Sequence, residues 1–321
     1  MDSVQLRLFS RVRLFSNSAI LFAIVASFLF HALISENNLT WQVVLSVIAL
    51  MIGIPHGAVD HLITIPRNTR RRFIAFIILY VAIAALAVAA ILKWNVLGFQ
   101  VIIWMSALHF GIGDASYISE NDLLGKCEPS PLILKLIYAV PAGCLPVIIP
   151  LVQKRSSDAL NRVNPELIHW AGNSADTLKL TITIMAVVAI VVLAIFKHYR
   201  NVIDLLLLAG LAFLTPPLVA FSFYFGCWHA LRHTARLTSL LPKSQAAISA
   251  GDLKATFICA IKPGLPALLG TVVVGLGLSV FNQNALTTSF LWSLLVVVWA
   301  LTVPHMIATA TLDSKALTTK E

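Results

Sequence analysis

The chain has 321 residues, of which 59% are hydrophobic and only 12% charged, about half the charged share of an ordinary soluble domain. Its mean hydropathy is +0.88, which excludes a soluble globular or disordered chain. The net charge of +9 does not mark a nucleic-acid binder, because Lys and Arg gather in an N-terminal arm and in short loops between apolar runs, where they set topology.

Several runs of about 20 apolar residues follow one another, each long enough to cross a hydrocarbon core about 30 Å thick. They lack the period-2 alternation of barrel strands, so the spans are expected to be helices. The predicted fold is all-α: a polytopic transmembrane bundle of about eight to ten spans, forming one integral membrane domain over residues 1–321. Cys127, Cys144, Cys227 and Cys259 stand far apart with no CxxC pair, which implies neither a disulfide framework nor a thiolate metal site.

In chain order, residues 1–16 read as a cytoplasmic arm carrying Arg7, Arg11 and Arg13, followed by an uncleaved first span at about 17–35. Glu36, Asn37 and Asn38 then face out. A second span from Trp41 to about Leu62 returns to the basic cluster Arg67, Arg70, Arg71 and Arg72. Spans at about 73–93, 97–117 and 131–152 lead to the longest loop, residues 153–177, whose balanced charge places it outside by alternation only. After a span at about 178–197, Pro216-Pro217 should break the stretch 202–238 into a short span and a second arm. A polar loop at 243–252, a Gly-rich span at about 256–281 kinked near Pro263 and Pro266, a last span at about 286–309 and a polar tail at 310–321 complete the chain.

The chemistry lies in the histidines. Trp228-His229-Ala230-Leu231-Arg232-His233 sets two imidazoles four residues apart, so a helix stacks both on one face. Such a pair can clamp a divalent metal, and imidazole suits iron, zinc, copper and nickel alike. The second span closes with Gly53-Ile54-Pro55-His56-Gly57-Ala58-Val59-Asp60-His61, where Pro55 breaks the helix and Gly57 permits close backbone approach. Asp60 is the candidate catalytic carboxylate: it could accept the second ring N–H of a ligating histidine and fix its tautomer. The fourth span adds His109-Phe110-Gly111-Ile112-Gly113-Asp114, and the last adds Pro304-His305. Six of the nine histidines, namely His56, His61, His109, His229, His233 and His305, fall at one depth toward the cytoplasmic side. His31, His169 and His198 lie at span ends or in the outer loop and read as solvated. Asp60 and Asp114 are the carboxylates available to offset a bound cation. Spacing alone does not choose between a closed zinc site and an open iron site.

Taken as an ordered set over about residues 40–310, these four motifs resemble the Brp/Blh family of bacterial and archaeal membrane β-carotene cleavage enzymes. The resemblance implies a dioxygenase that uses Fe(II) and O₂ to split β-carotene at its central 15,15′ double bond into two all-trans retinals, supplying a microbial rhodopsin. Carried over by position, the iron ligands would be His56, His109, His229 and His233. Such an enzyme would sit in the cell's inner membrane with its N-terminus in the cytoplasm and take its substrate from the lipid bilayer. Phe110, Phe221, Phe223, Tyr224, Phe225 and Trp228 flank the ligands, and some of them are expected to line an apolar tunnel for the polyene. The alternatives are a di-iron hydroxylase, which needs more than this chain's one HxxxH box, a bis-histidine haem protein, and a transporter using the histidines and aspartates as a proton relay.

Overall fold

The structure is a computed structural model that describes residues 2–30, 39–65, 70–281 and 286–318. Among these residues every regular element is helical. α1 (Asp2–Phe30) is followed by α2 (Leu39–Gly57), the short α3 (Asp60–Thr64), α4 (Arg70–Lys93), α5 (Asn95–Leu124), α6 (Leu132–Val152), α7 (Ser157–Val163) and α8 (Ala175–Ile195). α9 (Tyr199–Leu214) leads through Thr215-Pro216 to α10 (Pro217–Ser222), a π-helical stretch (Phe223–His229) and α11 (Ala230–Thr238). α12 (Pro242–Ser249), α13 (Leu253–Ile261), α14 (Pro266–Phe281) and α15 (Leu286–Thr318) complete the bundle.

Eight helical stretches among the described residues are long and apolar enough to cross a membrane. α9 has only 16 residues, about 24 Å at 1.5 Å per residue, so it falls short of a full span. The outer helices show their apolar faces. α4 buries only Ala84 and Ile91, and Leu86, Phe28 and Leu269 point outward. In lipid such surface is solvated by acyl chains, so its exposure needs no partner.

The interior is built around α5 and α6. Gly111 of α5 and Gly143 of α6 interlock: a Cβ on Gly111 would strike the Ala139 carbonyl, and one on Gly143 the Ala107 carbonyl. Small residues let two backbones touch in this way, as membrane helix packing favours.

Four expectations are revised. The expected arm is helical from Asp2 and continuous with the first span; Arg7 and Arg11 are exposed, but Arg13 is buried and bonds Asp204 at 2.9 Å. Residues 153–177 are no open loop: short helical turns fold back on the bundle, burying Leu167 and Trp170, with Gln100 Nε2 donating to the Trp170 carbonyl at 2.6 Å. The segment expected as a loop at 243–252 contains α12. The expected tail continues α15 to Thr318, because Arg236 Nη1 holds Asp313 at 2.6 Å and Ser119 donates to the Ala316 carbonyl at 2.9 Å. The Pro216-Pro217 break and the kink at Pro263 and Pro266 occur where expected. His31, Glu36, Asn37, Asn38, Arg67 and residues 319–321 lie outside the described residues.

Candidate functional site

His56 sits in the last turn of α2, one residue after Pro55. His109 is in the middle of α5. His229 closes the π-helical stretch, and His233 follows in α11. The wider π turn is a frequent feature of functional helices, and here it rolls the backbone so that a Cβ on Gly226 would lie 3.3 Å from Ala49 of α2. His305 stands one residue after Pro304 in α15. All five side chains are buried.

These rings meet. His56 lies 5.2 Å from His229 and 5.1 Å from His233, centroid to centroid, and His109 lies 5.3 Å from His229 and 6.4 Å from His233. His229 and His233 are 6.0 Å apart and nearly parallel, as an i, i+4 pair should be. His305 closes the group at 5.4 Å from His56, 5.0 Å from His109 and 5.4 Å from His233. His61 stays outside, edge-on to Phe73 at 5.8 Å. His169 is exposed and His198 half-buried.

The donor set can be tested against a metal ion. Imidazoles bound through nitrogen at about 2.1 Å to a common ion have centroids roughly 4.5 Å apart at right angles and roughly 6.4 Å apart when opposite. The observed separations fall inside that interval. Of fifteen buried side-chain N and O atoms without a hydrogen-bond partner among the described residues, six belong to these rings: His56 Nδ1, His109 Nε2, His229 Nε2, both His233 nitrogens and His305 Nε2. Each such atom costs about 1–3 kcal/mol if left alone, so their concentration suits a shared cation. Among the described residues no group of three or more His, Cys, Asp or Glu is preset to hold a metal.

Asp60 opens α3 and is buried. It pairs with His305, not with the neighbouring His56: His305 Nδ1 stands 3.0 and 2.9 Å from its two oxygens, and the Tyr80 hydroxyl donates to it at 3.0 Å. Gly57 makes room, since a Cβ there would come within 3.3 Å of His305 Nδ1. The motif at 53–61 thus reaches α15 across the bundle, a partnership hinted at only by the repeated Pro-His dipeptide.

Asp114 has a different role. Arg232 Nη1 bonds it at 2.6 Å and Asp204 at 3.2 Å, the Tyr138 hydroxyl donates to it, and Arg232 Nη2 donates to Asn17 at 2.9 Å. The guanidinium lies 3.4 Å above the Trp228 ring. Arg236, one turn on, holds Glu120 and Asp313. The helix that carries His229 and His233 is therefore fastened by two arginines, themselves an i, i+4 pair, to α1, α5, α9 and α15.

A cavity of about 250 Å³ opens on the cluster, lined by His56, His109, His229, His305, Asp60 and Tyr80 with apolar Phe76, Ile77 and Leu301. A second of about 190 Å³, lined by Leu50, Ile103, Phe221, Tyr224 and Leu295 among others, shares Phe110, Phe225, Val298 and Thr302 with the first. Phe110 lies 4.2 Å from the His229 ring. Of the aromatics expected near a tunnel, Phe110, Phe221, Tyr224 and Phe225 line these two cavities. Trp228 packs beneath Arg232, and Phe223 faces a separate apolar groove beside Phe22.

Comparison with known proteins gives the same direction. Residues 47–313 match the model of the family described as β-carotene 15,15′-dioxygenase. A curated relative of that name from an uncultured marine bacterium (66A03) is 29% identical over 279 residues, covering 81% of this chain and 90% of the relative. No solved structure matches. With the family model spanning both Pro-His motifs, His109 and the paired histidines, the chain belongs to the β-carotene 15,15′-dioxygenase family.

Proposed function

We propose that the chain is a multi-pass enzyme of the cell's inner membrane that cleaves β-carotene at its central 15,15′ double bond with O₂, giving two all-trans retinals. The observation that carries this reading is the gathering of His56, His109, His229 and His233, from three separate parts of the chain, beside a largely apolar cavity. One C=C bond and one O–O bond break and two C=O bonds form, so carotene and dioxygen balance with no further oxidant or reductant.

The four imidazoles would hold Fe(II), which supplies the dioxygen chemistry when bound. The rest is positioning by the protein. A carotene is wholly apolar and about as long as a bilayer core is thick, so it enters from lipid and lies between helices. Phe110 and Phe225 line both cavities, and a polyene that passes beside them would bring its middle to the histidines while its ends run into apolar space. Holding the scissile bond there converts an encounter into a proximity-driven step. The apolar walls exclude water from the reacting carbons. The N-terminus would lie in the cytoplasm, and the product would serve a retinal-binding rhodopsin.

Expression in a β-carotene-producing bacterium tests the reading. Colonies should bleach and yield retinal; colonies that stay orange while the folded protein is present in their membranes reject it.

A further inference from the structure

The five rings have an order that four predicted ligands do not account for. His56, His229, His109 and His305 form a closed cycle with neighbour separations of 5.2, 5.3, 5.0 and 5.4 Å. No ring contact joins the opposite pairs, His56 with His109 or His229 with His305. His233 touches all four members, at 5.1, 6.0, 6.4 and 5.4 Å, so it caps the cycle from one side. The lining of the cavity includes the four rings of the cycle and omits His233.

We infer that His305 is a fifth imidazole ligand of this site, beside His56, His109, His229 and His233, within the ring cycle that lines the substrate cavity. The inference rests on the metal reading above and deepens it. A carboxylate accepts hydrogen bonds, so the contacts from Asp60 at 2.9 and 3.0 Å place the ring proton of His305 on Nδ1. In the neutral ring Nε2 then keeps its lone pair, and that nitrogen is buried with no hydrogen-bond partner. Tyr80, donating to the same carboxylate at 3.0 Å, holds Asp60 in place. Asp60 is thereby a positioning residue that acts through His305, in the manner of the carboxylates that orient metal-bound histidines.

The test uses full-length protein in detergent, loaded anaerobically with Fe(II) or, as a spectroscopic probe, Co(II). Iron retention is measured against a chelator, and the visible cobalt bands report coordination number, since four-coordinate cobalt absorbs more strongly than five-coordinate cobalt. His305→Gln keeps bulk and a donor for Asp60 but offers no ring nitrogen. It should weaken iron retention and convert a five-coordinate cobalt spectrum into a stronger, four-coordinate one. Asp60→Asn should lower retention roughly 10–100-fold. A wild-type protein that binds neither ion sinks the metal reading itself. A wild-type protein that binds one ion, alongside a His305→Gln protein with unchanged retention and unchanged cobalt bands, overturns the fifth ligand and leaves the four-histidine reading standing.

Discussion

Replacing Arg232 by Met removes a group that bridges Asp114 and Asp204. In the native protein, Arg13 and Arg232 bring two positive charges against the two carboxylates, and the cluster is neutral. Without Arg232, Arg13 still neutralises Asp204 at 2.9 Å, but Asp114 keeps only the Tyr138 hydroxyl and the cluster carries one uncompensated negative charge. Breaking a buried ion pair on one side costs about 3–5 kcal/mol, which raises the unfolded population by roughly 10²–10⁴-fold. The loss of the Trp228 stacking contact adds to this. Equilibrium unfolding in mixed detergent and SDS micelles, followed by tryptophan fluorescence, reads the change. Adding Asp114→Asn to Arg232→Met restores neutrality and should recover at least half of the loss, whereas Asp114→Asn alone should destabilise. Arg232→Lys should fall between, because one ammonium cannot reach Asp114, Asp204 and Asn17 together. Stability of Arg232→Met within about 1 kcal/mol of the parent, or a double variant no better than the single, would refute the reasoning.

Gly111→Ala drives a methyl group into the Ala139 carbonyl and should cost about 1–3 kcal/mol in the same unfolding assay, with cleavage falling as His109, two residues away, moves with α5. His229→Ala and His233→Ala should each abolish retinal formation and co-purifying iron; full turnover by either removes that histidine from the ligand set. Phe225→Trp should crowd the two cavities that Phe225 lines, so that the purified variant keeps its iron while losing turnover of β-carotene. Iron loss in that variant would instead make Phe225 a support for the rings it touches at 6.1 and 6.2 Å.

Much of the helical bundle is legible in composition, because long apolar runs in lipid leave the backbone no alternative to helix. The Pro216-Pro217 break is equally plain, since a proline's missing N–H acts locally. The histidines could be singled out because an ionisable group at membrane depth needs a reason to be there. What the sequence hid was partnership over distance. Arg13 reads as one more topological charge beside Arg7 and Arg11, yet it turns inward to Asp204 and Asn201, contacts set by α9 and invisible from the arm. Asp60 looks like a companion of His56 at i, i+4, but α2 ends at Gly57 and the following turn aims the carboxylate at α15. The π-helical turn has no local signature either, because the side chains of Phe223–His229 would suit an ordinary helix equally well.

The contact between Asp60 and His305 closes across 245 residues. Translation delivers amino-terminal segments first, so the ribosome hands Asp60 to the bilayer long before α15 exists. Tyr80, twenty residues later, donates to that carboxylate, and the imidazole arrives only with α15. α15 is thus the keystone of assembly: a chain that stops before it leaves the Asp60 carboxyl without its imidazole partner in apolar surroundings, and the pocket can mature only once α15 has been made.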